Sequence, residues 1–148
     1  MLYKNRKFDI RMWVLLTPKK EVFFYKKGYL RTSSEIYNPK SKDPYVHLTN
    51  NCLQQFGHNY SQFEEGNTVP LEHLQDYIND NYTNLDVDVD KYIIAKMKDI
   101  VIDTYLSIED TEINPENCKP RSFELLGYDF LIDEDLKVWL LEVKSNFK

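Results

Sequence analysis

Two apolar runs near the C-terminal end, Phe123 to Ile132 and Val138 to Val143, are each interrupted by one carboxylate, and this pattern constrains the fold most. The short polar link Asp133-Glu134-Asp135 joins them, so the pair is read as an antiparallel hairpin. Asp129 sits among Tyr128, Phe130, Leu131 and Ile132, and Glu142 among Trp139, Leu140, Leu141 and Val143. A carboxylate inside an apolar strand is costly unless it is paired or bound to a metal. A four-residue loop, Glu134 to Lys137, would set Asp129 directly opposite Glu142. Any even loop would keep both on one face, about 4.5–8 Å apart. Like charges that close repel unless a cation bridges them or one is protonated. Oxygen ligands of this kind suit Mg²⁺ held together with substrate phosphates. The plainer alternative is a half-exposed sheet in which one carboxylate faces water.

A second strand pattern opens the chain. Lys7 to Thr17 alternates, with Phe8, Ile10 and Met12 on one face and Lys7, Asp9 and Arg11 on the other. Two cations flanking one carboxylate can cradle phosphates, or can form a weak charge ladder on a solvated face. Pro18-Lys19-Lys20 marks a turn, and Glu21 to Arg31 is expected to return antiparallel. Thr32 to Pro44, Gly57 to Pro70 and Asn114 to Arg121 read as loops, and Val46 to Phe56 is ambiguous. Helices are expected over Leu71 to Tyr82 and Val89 to Ile108, where apolar residues recur at helical spacing. Strands, then helices, then a hairpin indicate an α+β domain with a mostly antiparallel sheet and two helices, one unit over residues 1–148.

Charge narrows the chemistry. Residues 1–31 carry nine Lys and Arg against Asp9 and Glu21, a local +7 in a chain of net −5. The overall balance gives no case for nucleic acid. The basic block could attract a triphosphate or an acidic peptide, or could simply keep a strand edge soluble. No apolar run approaches the roughly 20 residues that span a bilayer, and Met1 to Asp9 holds no signal-peptide core. Cys52 and Cys118 form no CxxC pair and are expected to be free thiols. Eleven Tyr and eight Phe against four Gly favour aromatic packing over a glycine-rich phosphate loop. The GxxxxGK[ST], GxGxxG, HExxH and GxSxG patterns are absent, and His47, His58 and His73 lack metal-ligand spacing. His47-Leu48-Thr49-Asn50-Asn51 offers polar groups for a ribose or a substrate amide, though Asn-Asn is also turn chemistry. Gly66, in Glu64-Glu65-Gly66-Asn67, is a candidate for positive φ.

Taken in order, Arg6-Lys7-Phe8-Asp9-Ile10-Arg11, Tyr29-Leu30-Arg31-Thr32-Ser33-Ser34, His47-Leu48-Thr49-Asn50 and Glu64-Glu65-Gly66-Asn67 resemble the tubulin–tyrosine ligase family. The last matching segments are Phe123 to Phe130 and Val138 to Val143. The segments around Arg31 and Glu64 look nearest to tubulin–tyrosine ligase itself. The resemblance implies an ATP-grasp-like fold, represented by its C-terminal catalytic part and truncated at both ends. It implies an ATP- and Mg²⁺-dependent ligase that activates a carboxylate as an acyl phosphate. The amine of a free amino acid then attacks, joining that amino acid to a tubulin tail. By motif match, Arg11 and Arg31 are catalytic, neutralising the phosphates and the intermediate. Lys7, Asp9, His47, Thr49 and Asn50 line the nucleotide and substrate pocket, and Asp129 and Glu142 hold the metal. A cytoplasmic protein at microtubules or cilia is implied, with no nucleic acid and no membrane as partner. A non-catalytic fragment or degenerate family member is the alternative. The main departure is Lys144, which stands where the family carries a ligating Asn; a protonated lysine has no acceptor atom. On a continued strand Lys144 would share the face of Glu142 and act as a built-in counter-ion.

Overall fold

In the computed structural model, which describes residues 1–109 and 123–145, the domain is α+β and is built on one six-stranded antiparallel sheet. The strands are β1 (Arg6–Leu16), β2 (Val22–Phe24), β3 (Tyr29–Ile36), β4 (Thr68–Pro70), β5 (Glu124–Ile132) and β6 (Val138–Ser145). Their order is β4-β3-β1-β5-β6, with β2 alongside the far end of β1. β1 is therefore the central strand, bonded to β3 on one side and β5 on the other.

Alternation decides which face of β1 is buried. Phe8, Ile10, Met12 and Val14 are almost wholly excluded from water and meet Leu30, Tyr128, Phe130 and Ile132 from the neighbouring strands. Two helices close over this face: α3 (His73–Asn81) through Leu74 and Ile78, and α4 (Ala95–Glu109) through Met97 and Val101. A π-helical turn at Asp90–Ile94 leads into α4 and adds Ile93 to the core. Both expected helices are thus present, within a residue or two of the expected bounds once the π-helical turn is counted with α4. Thr104 Oγ1 and the Tyr128 hydroxyl, 2.8 Å apart, tie α4 to β5.

Three expectations need correction. The strand expected over Glu21 to Arg31 is broken: β2 ends at Phe24 and pairing resumes at Tyr29 as β3. The break, residues 25–28, ends at Gly28, where a Cβ would fall 2.1 Å from Met12 Sδ and 2.8 Å from the Arg11 carbonyl oxygen. Only glycine lets the chain pass so close to β1. Gly28→Ala is accordingly expected to cost about 1–3 kcal/mol by overpacking, read as a lowered urea midpoint.

The loop expected from Thr32 to Pro44 begins too early, because β3 runs on to Ile36. Thr32, Ser33 and Ser34 are buried within it; Thr32 and Ser34 meet side chains far along the sequence, and the Ser33 hydroxyl bonds the Glu35 and Tyr45 carbonyl oxygens. The loop expected from Gly57 to Pro70 contains a 3₁₀ turn, Glu65–Asn67, and the edge strand β4. Gly66 does take positive φ, at 59°.

The ambiguous segment resolves into two single-turn helices, α1 (Pro44–His47) and α2 (Asn51–Gln54), capped by Asp43 and Asn50 respectively. Cys52 is a free, exposed thiol. Cys118 and the loop expected over Asn114 to Arg121 lie outside the described residues. Among the described residues, no helix is long and apolar enough to cross a membrane.

Candidate functional site

The face of the sheet turned away from α3 and α4 carries the charge. The register sets Asp9 of β1 opposite Arg31 of β3, and Arg11 of β1 opposite Asp129 of β5. Side chains paired this way share a face, so alternation and register together place two cations and two anions side by side. All four are buried, at 5% exposure for Asp9, 8% for each arginine and 3% for Asp129.

They form one connected network. Arg31 Nε and Nη2 donate to Asp9 Oδ1 and Oδ2 at 2.7 and 2.6 Å. Arg31 Nη2 also reaches Asp129 Oδ2 at 2.7 Å. Arg11 grips the same carboxylate from the other side, with Nε on Oδ1 and Nη2 on Oδ2 at 3.0 Å. Thr49 adds a hydroxyl bond to Asp9 Oδ2 at 2.6 Å. Such forked guanidinium–carboxylate pairs are the strongest of protein hydrogen bonds.

Both charge states are locked by this arrangement. Burial alone would raise the Asp129 carboxyl, but the hydrogen bonds from Arg11 and Arg31 outweigh it and hold the group below its usual value. Burial likewise works against the Arg31 charge, yet its bonds to Asp9 and Asp129 raise its pKa above the ordinary one. A carboxylate depressed in the folded state stabilises the fold above its unfolded pKa and loses that contribution as pH falls through the folded value. Stability is therefore expected to decline below about pH 4. Asp129→Asn, less stable at neutral pH, should lose less on acidification. Urea midpoints followed across acidic pH check this.

The network leaves donors over. Among the described residues, Nη1 of Arg11 and of Arg31 makes no hydrogen bond. Gly127, across from Trp13, keeps this surface low: a Cβ there would stand 3.3 Å from Arg11 Nη1. The Arg11 guanidinium also lies over the Trp13 ring, 5.4 Å from its centroid. The arrangement can thus present two guanidinium edges, fixed by carboxylates behind them, to an anion.

The other expected site residues divide. Glu142 does sit directly opposite Asp129. The hairpin reaches that register with Ile132 paired to Val138 and with Leu141 left over as a bulge, instead of through a four-residue loop. Glu142 is exposed, and Lys144 Nζ holds its Oε2 at 3.1 Å, as a built-in counter-ion would. Both Asp129 oxygens are engaged by arginine, and no group of three or more His, Cys, Asp or Glu suited to a metal occurs among the described residues. As arranged, these carboxylates do not fit a Mg²⁺ ion: each already has its cation. Asn50 spends its side chain capping α2 at Cys52 N, 2.9 Å away. His47 Nε2 bonds the Ser41 carbonyl oxygen at 2.7 Å and its ring stands edge-on to Tyr37. Lys7 is half-buried and has no ion-pair partner among the described residues. These three therefore stand outside the bonded network.

One buried group beside it escaped the sequence. Arg6, 1% exposed, donates to Glu64 Oε1 at 2.5 Å and to the Ser33 carbonyl oxygen at 3.0 Å, with the Phe63 ring 4.4 Å from its guanidinium. Thr32 Oγ1 donates to the other Glu64 oxygen at 3.1 Å, and Asn67 Nδ2 bonds the Thr32 carbonyl oxygen and Ser34 Oγ. This lattice fastens residues 63–67 to β3 next to Arg31. Both Arg6 and Glu64 lie in the segments that carry the family resemblance, which was the one available signal.

Comparison with known proteins agrees with that resemblance. The family model described as "Tubulin-tyrosine ligase family" matches residues 1–146. The chain is 33% identical to mouse protein polyglycylase TTLL10 over 99% of its own length and 21% of the relative's. It is 33% identical to the human protein named inactive polyglycylase TTLL10, over 99% of the chain and 22% of that protein. To tubulin glycylase 3E of Tetrahymena thermophila it is 36% identical, over 96% of the chain and 10% of the relative. The chain thus spans about a fifth of the length of the first of these relatives. Their names are those of glycylases, so the expected nearness of the segments around Arg31 and Glu64 to tubulin–tyrosine ligase itself finds no support in these relatives. A match along residues 1–146, together with an antiparallel sheet that brings Asp9, Arg11, Arg31 and Asp129 onto one face, places this chain in the tubulin-tyrosine ligase family.

Proposed function

We propose that this chain contributes part of the active site of an ATP-dependent ligase that joins an amino acid to a tubulin tail. The observation that carries the reading is the buried quartet of Asp9, Arg11, Arg31 and Asp129, with one guanidinium edge of each arginine left over. Buried ion pairs give little net stability for their desolvation cost. A net-neutral cluster of four ionised groups is thus better explained by work on a charged ligand than by stability. When bound, ATP would give up its γ-phosphoryl group to a carboxylate, leaving ADP and an acyl phosphate, from whose carbonyl carbon the amine would displace phosphate to form the amide. Arg11 and Arg31 would neutralise the phosphoryl oxygens through Nη1. Asp9 and Asp129 would hold both forks in place, so that little reorganisation is needed as charge develops. Thr49 would fix the Asp9 carboxylate, and Lys7 would add a cation at the rim. Mg²⁺ is given no role here, because Asp129 and Glu142 already have cations. The tubulin-modifying relatives support a cytoplasmic setting at microtubules.

A second reading, a non-catalytic family member, is favoured by the Lys144–Glu142 ion pair, and one relative carries the name inactive. Photolabelling with an azido-ATP separates the two. The ligase reading expects label on peptides of β1, β3 or β5 that excess ATP competes away. Label that ATP does not displace, or none at all, would favour the non-catalytic member. Because the relatives are named both as glycylases and as polyglutamylases, glycine and glutamate are the first amino acids to offer in a transfer assay on tubulin.

A further inference from the structure

Thr49 touches the quartet from a segment with little structure of its own, between two single-turn helices. What fixes it there is Gln54. This side chain is 0% exposed. Its Oε1 accepts from Ser34 N at 2.9 Å and from Ser34 Oγ at 2.5 Å. Its Nε2 donates to the Tyr45 carbonyl oxygen at 3.1 Å and to the Leu48 carbonyl oxygen. A primary amide has two acceptor lone pairs and two donor hydrogens, and all four are used. The main chain fixes the orientation of the amide: Ser34 N–H can only donate, and the two carbonyls can only accept. The Gln54 main-chain N–H also bonds the Asn50 carbonyl oxygen at 3.0 Å. Gln54 therefore grips the residue on either side of Thr49 and locks both to β3.

We propose that Gln54 is a positioning residue of the site. By clamping Leu48 and Asn50 to Ser34 of β3, it holds the Thr49 hydroxyl on Asp9, and so sets the grip of Asp9 on Arg31. Gln54 itself touches none of the four charged groups. The relay runs from the amide through the Leu48 carbonyl and the Thr49 hydroxyl to Asp9 Oδ2, the oxygen that also receives Arg31 Nη2. Its importance for function rests on the reading of Arg31 as a phosphate-handling group, but its effect on Arg31 is measurable without ligand.

The test uses the ¹⁵N-labelled whole chain and three variants, Gln54→Met, Gln54→Glu and Thr49→Val. The ligand-free readout is hydrogen exchange at Arg31 Nε–H, with the Phe130 amide in the core as the check on folding. Gln54→Glu keeps acceptors for Ser34 but turns oxygens toward the Tyr45 and Leu48 carbonyls. The proposal expects it to speed exchange at Arg31 as much as Gln54→Met does, with Phe130 unchanged. Thr49→Val removes the end of the relay alone and should give the same change. A loss worth one net hydrogen bond corresponds to about five- to tenfold faster exchange at Arg31. Wild-type exchange in folded Gln54→Glu and Gln54→Met overturns the proposal. Should the Gln54 variants not fold, Thr49→Val decides, because unchanged Arg31 exchange there breaks the relay. Titration with ATP then separates this proposal from the functional one. If the wild type takes no ATP, the functional reading fails while the exchange result stands. If the wild type and folded Gln54→Glu take ATP equally well, Gln54 does not position the site.

Discussion

Arg31→Met is expected to destabilise the chain by about 3–5 kcal/mol, the range for removing one partner of a buried ion pair. Arg31 is the group that joins the two halves of the quartet, touching Asp9 at 2.6 Å and Asp129 at 2.7 Å. Without it, Asp9 keeps only the Thr49 hydroxyl among the described residues, and the two buried carboxylates repel each other. Methionine fills similar space, so the loss comes mainly from uncompensated charge and little from a cavity. The sign with pH follows. In the variant one carboxyl takes up a proton more readily, so the deficit relative to wild type narrows as pH falls. Arg31→Lys keeps the charge but loses the fork and should fall between the two. Urea denaturation of all three at neutral and acidic pH measures the effect. A Met variant within about 0.5 kcal/mol of wild type, the size of an ordinary surface change, would mean that the quartet is not a coupled unit.

Arg6→Met should be nearly as damaging, by about 3 kcal/mol, toward the lower end of the range for a broken buried pair. Glu64, with 11% of its side chain exposed, would lose its partner at 2.5 Å. Two groups soften the loss, the Thr32 hydroxyl at 3.1 Å and Lys4 Nζ at 3.8 Å. Arg6 also carries the Phe63 ring and the Ser33 carbonyl oxygen, so residues 63–67 should come away from β3. The double variant Arg6→Met/Glu64→Gln removes both charges and should recover part of the stability. Thermal denaturation of the singles and the double forms a cycle whose coupling energy isolates the pair. Additive effects would show that Arg6 matters through packing alone.

The parts of the fold that depend on local periodicity were legible. Alternation in Lys7 to Thr17 and in the C-terminal hairpin, and helical spacing in the two long helices, each arise within a few residues and need no knowledge of partners. The run Thr32-Ser33-Ser34 was misread as loop because its polarity is a local signal, whereas its satisfaction is not. Gln54, Glu64 and Asn67, which satisfy Thr32 and Ser34 inside the strand, lie 20 to 35 positions away. The break at Gly28 was invisible for the same reason, since it is set by Met12 across the sheet.

At the site, Asp9, Arg11, Arg31, Thr49 and Asp129 were picked out as ligand-binding groups, and the structure brings those five together. That they bind one another required the register of three strands at once, which the sequence of no single strand contains. Glu142 was placed opposite Asp129 correctly, but its exposure follows from β6 ending the described sheet order. Arg6 and Gln54 gave no signal as chemistry, because a polar residue reveals its burial only in the folded chain.

The decisive property of the site is whether the leftover guanidinium edges of Arg11 and Arg31 meet phosphate. Titrating the ¹⁵N-labelled chain with ATP while following the arginine Nε–H resonances measures this directly. The account predicts saturable shifts at Arg11 and Arg31, accompanied by the Thr49 amide and much reduced in Arg31→Lys. Shifts confined to residues near the exposed lysines of the β1–β2 hairpin, with both arginine resonances unmoved at saturating ATP, would contradict it.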